Sequence, residues 1–216
     1  MPNSTVLSLF QTTMQGMGVA ASGAPTTVIG NTNQDIVQTL ALVQAAGGEL
    51  AREHNWQYGQ VQYIFEATYF SYTGNTTNGS VSVTSMSSIA SLDATFMVTG
   101  TGIPQDTFVS AASGTTVTLN REATATGTTV TLTFSKVRFA VPTDFDRMID
   151  NTQWDTDRRW SMIGPLTSQQ QAWLRSGFSS TAPRIRHWMQ EGYFQIWPPL
   201  GEDEWLAFWY QSKYWI

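Results

Sequence analysis

Apolar residues along this chain follow two different periods. Val6, Phe10, Met14 and Met17 recur at intervals of four, four and three, which predicts one face of a helix. Asn3 or Ser4 is placed to cap it, and Gly16 and Gly18 to end it. A loop containing Gly23, Pro25 and Gly30 follows. Ile36, Leu40, Val43, Gly47, Leu50 and His54 then repeat at 4-3-4-3-4, a helical seam of about five turns. Asn33 suits its N-cap, and Asp35 falls in the first turn, where the helix dipole favours an acid. Gly47-Gly48 lies within the seam and either breaks the helix or admits another backbone closely.

The period then changes to two. Val61, Tyr63, Phe65, Ala67 and Tyr69 alternate with mostly polar residues, which predicts a strand. Further short strands are expected around Val81/Val83, Phe96/Val98, Phe108, Val117/Leu119 and Val130/Leu132/Phe134. Turns are signalled at Gly100-Thr101-Gly102-Ile103-Pro104, Ser113-Gly114 and Thr126-Gly127. That spacing reads as a small sandwich or barrel. Beyond it come a strand over Lys136–Val141 and a short helix over Asp144–Asp150 capped by Thr143. A capping box of Thr167 and Gln170 opens a second short helix ending near Gly177. Residues 184–212 read as a three-stranded meander: Arg184–Met189, a turn at Gly192, Tyr193–Trp197, then Trp205–Gln211 after Pro198-Pro199. The last strand is apolar on both faces and needs cover on both, from its own chain or a partner.

Composition divides the chain. Residues 71–135 hold 27 Ser or Thr in 65 positions, one basic residue (Arg121) and none of the nine tryptophans. The fold class expected is α+β: a helical N-terminal segment packed with an antiparallel sheet, plus an inserted all-β sandwich-like module. Residues 1–70 and 136–216 form the host domain, and 71–135 the insert. A module of that size has a marginal core and leans on its host or a neighbour.

The chemistry available is limited. With no cysteine and two histidines, disulfide scaffolds, thiol catalysis and cysteine zinc sites are excluded. The net charge of −5 argues against binding DNA through its phosphates. The N-terminus lacks a basic n-region and no apolar run approaches the ~20 residues of a membrane span. A soluble, unprocessed protein of a reducing compartment, without membrane association, is expected.

His187, in an alternating strand, reads as packed or solvated rather than as a ligand. His54, on the seam side of its helix, reads as capping or packing. Asp144, Asp146, Asp150, Asp155 and Asp157 form the densest acid group. Paired carboxylates would suit a glycosidase, but helix-start positions and nearby Arg147, Arg158 and Arg159 favour a structural role. Glu202-Asp203-Glu204 reads as a solvated turn. Arg138, Arg147, Arg158, Arg159, Arg175, Arg184 and Arg186 share their stretch with five acids, for a net charge near +2. They read as salt bridges within or between subunits, with weak phosphate contact as the other reading. No catalytic residue, cofactor site or metal site is assigned. Nine Trp, seven Tyr and eleven Phe are a large aromatic stock for a chain only 12% charged, which favours protein interfaces. The candidate interface is Trp205, Phe208, Trp209, Tyr210, Tyr214, Trp215 and Ile216, with Arg184 and Arg186.

Three segments carry a family resemblance: Ile36–Trp56, with its run Ala46-Gly47-Gly48-Glu49-Leu50-Ala51-Arg52-Glu53-His54-Asn55-Trp56; Val141–Asp155, continuing through Ile163–Thr167; and the meander, with Arg184-Ile185-Arg186 and the closing Phe208–Trp215. In order and content they resemble the head-to-tail adaptor (tail accessory) proteins of tailed bacteriophages. Residues 71–135 resemble the small Ser/Thr-rich β-modules of phage virion proteins, where related adaptors have a short turn. The resemblance implies a non-enzymatic virion protein without cofactors, made in the host bacterial cytoplasm and placed at the head-tail junction. It forms a ring, usually of twelve copies, that joins the portal to the next tail or nozzle protein and extends the DNA channel. Genomic DNA passes without sequence-specific binding, which a net-negative wall favours. The rival expectation is a phage tail protein that hydrolyses peptidoglycan or binds glycan.

Overall fold

The computed structural model describes residues 5–18, 25–54, 56–176 and 184–214. Among them are three α-helices and about 39% strand in antiparallel sheets, an α+β fold. No described helix is long and apolar enough to cross a membrane. The chain divides into two compact units. One comprises Met1–Val61, Asp144–Arg147 and Tyr210–Ile216; the other comprises Gln62–Thr143 and Met148–Trp209.

In the first unit, α1 spans Val6–Gly16 and α2 spans Gln34–Glu53. The α1 cap is Thr5, whose hydroxyl accepts the Ser8 N–H at 3.2 Å; Asn3 and Ser4, expected in that role, lie outside the described residues, as do Gly23 and Gly177. Asn33 caps α2 as expected, accepting the Asp35 N–H at 3.0 Å. Gly47-Gly48 does not break the helix. Phe10, Met14, Val28 and Ile36 form the buried cluster between the helices, with Leu7, Leu40 and Val43 at its margin. Along the seam Ile36 and Gly47 are buried and Leu40 and Val43 half-buried, while Leu50 is exposed. A 3₁₀ turn, Gln57–Gly59, leads out.

Strands β1 (Gln60–Ala67) and β2 (Tyr69–Thr76) follow, separated at Thr68. In the second unit, β2 joins β3 (Ser82–Val83), β4 (Phe96–Gly100), β5 (Thr107–Ser113), β6 (Thr116–Leu119) and β7 (Gly127–Lys136) in a six-stranded sheet of order β2-β7-β4-β5-β6-β3. Each strand expected between 81 and 134 is present. Their inward positions, including Val83, Val98, Val109, Val117, Leu119, Leu132 and Phe134, make one core.

The remaining strands are β8 (Arg138–Ala140), β9 (Phe145–Met148), β10 (Trp154–Asp155), β11 (Trp160–Ser161), β12 (Arg186–Gln190), β13 (Tyr193–Trp197) and β14 (Glu204–Ser212). Helix α3 spans Ser168–Arg175, and Thr167 and Gln170 form the expected capping box. The hairpin β12–β13 turns at Glu191-Gly192, with Gly192 at φ +78°, a conformation glycine adopts freely.

Two expectations are corrected. The helix expected over Asp144–Asp150 is strand β9, which pairs β14. The meander is also divided. Strand β13 continues onto β8 in a three-stranded sheet, while β14 lies in another sheet between β1 and β10, with β11 beyond β10. Pro198-Pro199 supplies no N–H to a ladder, so hairpin pairing stops there and the chain changes sheets.

Candidate interaction surfaces

Strand alternation sorts β14 into two faces. Glu204, Leu206, Phe208 and Tyr210 point one way and all are buried. Phe208 stacks on Phe194 with ring centroids 5.0 Å apart, and Tyr63 and Phe65 meet its edge. Phe208 and Tyr210 are therefore corrected from interface candidates to interior residues: their rings are spent on the chain's own packing. On the opposite face Trp205 is 47% and Trp209 39% exposed, with small Ala207 buried between them.

Trp154 of β10 pairs directly with Ala207. It stands on the same face, diagonal to both Trp205 and Trp209, and is 43% exposed. On neighbouring β1, Tyr63 and Phe65 face Phe208, so Ile64 points to the tryptophan side and is exposed. Four large apolar side chains thus share one uncovered sheet face. Trp154 and Ile64 escaped the sequence reading. Alternation in β1 marks Ile64, but only the register across β10 and β14 identifies Trp154. Backbone bonds hold the face: the Trp205 N–H donates to the Asp157 carboxylate at 2.7 Å, and the Trp209 N–H to the Thr152 hydroxyl at 3.1 Å.

Of the other candidates, Tyr214 and Arg184 are exposed and Arg186 is half-buried. Trp215 and Ile216 lie outside the described residues.

A second apolar surface lies on the first unit. Two cavities, of about 380 and 460 Å³, share Gly47 and Leu50 of α2. Trp56, Tyr58 and Gln211 bound one; Leu9, Leu42 and Val43 bound the other.

The acids weighed as a catalytic pair have structural partners. The Asp144 carboxylate accepts the hydroxyls of Tyr210 (2.9 Å) and Ser212 (2.8 Å). Burial opposes its ionisation, but those two hydroxyls, a backbone N–H and Lys213 outweigh burial and hold its pKa below the usual carboxylate range. Asp146 pairs with Arg147 at 3.1 Å. Arg147 also donates to the carbonyls of Ala51 (3.0 Å) and His54 (2.8 Å). A guanidinium thus closes the C-terminus of α2, satisfying carbonyls that the helix leaves unpaired. His54 is the C-cap of α2, and its ring meets Trp56 edge-on. Arg147→Met should cost about 1–3 kcal/mol. Amide exchange across Ala51–His54 would report it, and protection equal to the parent would refute the assignment.

Glu204 departs from the solvated turn expected of Glu202-Asp203-Glu204. It is 2% exposed, its carboxylate 2.5 Å from Arg158. Burial first, then the charges of Asp155 and Glu202 against the pull of Arg158, push its pKa up to about 7. Of the two readings of His187, packed or solvated, the structure gives the first: its ring is fully buried and stacks on Phe194 at 5.3 Å. Burial pushes its pKa down to about 4, against the charge of Asp150.

Among the described residues, no group of three or more His, Asp and Glu side chains is arranged to hold a metal ion. Comparison of the chain with protein-family models, with curated proteins and with solved structures gives no match.

Proposed function

We propose that this chain is a non-enzymatic structural subunit of a bacteriophage head-to-tail junction, assembled as a ring of twelve copies under the portal. The observation that carries this reading is the presence of two unlike apolar surfaces on one chain. One is the Trp154–Trp205–Trp209 sheet face; the other is the α2 surface around Gly47 and Leu50. A ring requires head-to-tail contacts between two different faces of each subunit, and exposed tryptophans are the side chains that contribute most at such contacts. The resemblance of residues 36–56, 141–167 and 184–215 to adaptor proteins supports the same assignment.

In this reading residues 71–135, most of the six-stranded sheet, are a module inserted into the adaptor domain. The partners are sister copies, the portal protein and the next tail or nozzle protein. DNA passes through without sequence-specific contact, no cofactor is used, and no membrane is involved. The protein is made in the bacterial cytoplasm and ends in the virion.

The test is sedimentation velocity of the full chain, alone and with a portal protein. The expected result is a closed oligomer, alone or on the portal, which the double variant Trp205→Ser, Trp209→Ser abolishes while its circular dichroism is unchanged. A chain that stays monomeric at high concentration and ignores the portal would overturn the proposal.

A further inference from the structure

The strongest unexplained polar feature lies in the second unit, on one face of the β12–β13–β8 sheet. Arg138 of β8 and Trp188 of β12 both pair with Gln195 of β13, and Arg186 pairs with Trp197. Residues directly opposite one another share a face, so Arg138, Arg186 and Trp188 project to the same side. Arg175, the last residue of α3, reaches that side. It donates to the Gln195 side-chain oxygen at 3.4 Å, and its guanidinium lies 5.6 Å from the Trp188 ring centroid.

Four buried N–H groups in this cluster have no hydrogen-bond acceptor: Arg138 Nε, Arg175 Nε, Arg186 Nη1 and Trp188 Nε1. Asp106 is the carboxylate in ion-pair contact, its Oδ1 3.4 Å from Arg175 Nε without forming a hydrogen bond. It is held at φ +59°, in the left-handed region. Burial raises its pKa against the pull of Arg175, Arg121 and Arg138. Arg138 is fixed over the Phe108 ring at 4.3 Å, and Arg121 is spent on the Gln105 carbonyl at 2.6 Å.

A buried N–H without an acceptor is destabilising. Four together, on a positively charged face, match a ligand with several acceptor oxygens and negative charge. We propose that this face binds a small oxyanion of the inorganic phosphate class, held by the guanidiniums of Arg138 and Arg175 and the indole N–H of Trp188. A cavity of about 310 Å³ lies beside this cluster: among its lining residues, Asp106 contacts Arg175 and Trp197 pairs with Arg186. Trp188 is too deeply buried to meet a polymer backbone, so the ligand is the free ion.

The test is isothermal titration of the full chain with sodium phosphate, in chloride buffer of constant ionic strength. Saturable binding of one phosphate per chain is expected, with acetate weaker because it offers fewer acceptors. Trp188→Phe, which deletes the donor and shrinks the ring, should weaken binding roughly tenfold, and Asp106→Asn, which removes the competing carboxylate's charge and keeps its size, should tighten it by a similar factor. No saturable heat, acetate binding as tight as phosphate, or affinity unmoved by both substitutions would each overturn the assignment.

Discussion

Phe194→Ala should lower the free energy of unfolding by about 3–5 kcal/mol, the range for truncating a fully buried phenylalanine. Phe194 is fully buried and joins two sheets of the second unit. On its own sheet it pairs with Phe139 and Met189. Its ring stacks on His187 at 5.3 Å and on Phe208 at 5.0 Å, and meets Phe65 edge-on at 5.6 Å. Two of those partners, Phe65 and Phe208, belong to β1 and β14, so the cavity left behind would face rings from several strands that cannot all close on it. Removing aromatic pairs also forfeits roughly 0.5–1.5 kcal/mol per pair beyond the area lost. Tyr193→Ala, one residue earlier on the exposed side of the same strand, is the control and should cost under about 1 kcal/mol. Urea unfolding followed by tryptophan fluorescence gives both numbers. Similar losses for the two variants would mean that the aromatic cluster does not join the sheets energetically.

What the sequence disclosed follows the range of the interactions involved. The caps at Asn33 and Thr167 were legible because each is a bond between neighbours a few residues apart. The strands between 81 and 134 were legible because alternation and glycine turns are local too. The segment around Asp144 was misread because Thr143-Asp144-Phe145-Asp146 has the residues of a helix start. What decides the outcome is distant: Arg147 reaches Ala51 and His54, and the Asp144 carboxylate takes hydroxyls from Tyr210 and Ser212. Those contacts are compatible with an extended chain and override propensity. Likewise, the doubly apolar last strand announced a need for cover, but only the fold shows that one face is covered internally and the other carries Trp205 and Trp209 outward. Glu204 was legible in principle. It has the parity of Leu206, Phe208 and Tyr210, and parity in a strand outranks the polarity of its neighbours Glu202 and Asp203.

The pH dependence of stability should be nearly level in the parent protein between about pH 4.5 and 6.5, and two single substitutions should tilt it in opposite directions. Burial lowers the pKa of His187 from 6.5 to about 4. Between those values the unfolded chain binds more protons than the folded one, so this group's contribution rises with pH and is lost as pH falls. Burial raises the pKa of Glu204 from 4.5 to about 7. There the folded chain binds more protons, so stability falls as pH rises through the window. Each shift corresponds to at most roughly 3 kcal/mol, and the windows overlap almost wholly, so the two slopes cancel. Glu204→Gln keeps the shape of the protonated acid and removes its titration. Its unfolding free energy should climb by about 2–3 kcal/mol from pH 4.5 to 6.5. His187→Leu should show the reverse, a decline of similar size, whatever its absolute stability. The slope is the readout, since Asp106 and Asp144 titrate equally in both variants and in the parent. Urea unfolding at half-unit pH steps measures it. If Glu204→Gln retains the level profile of the parent, the buried carboxylate is not the group that offsets His187, and ionised Glu204 is fully compensated by Arg158 at 2.5 Å.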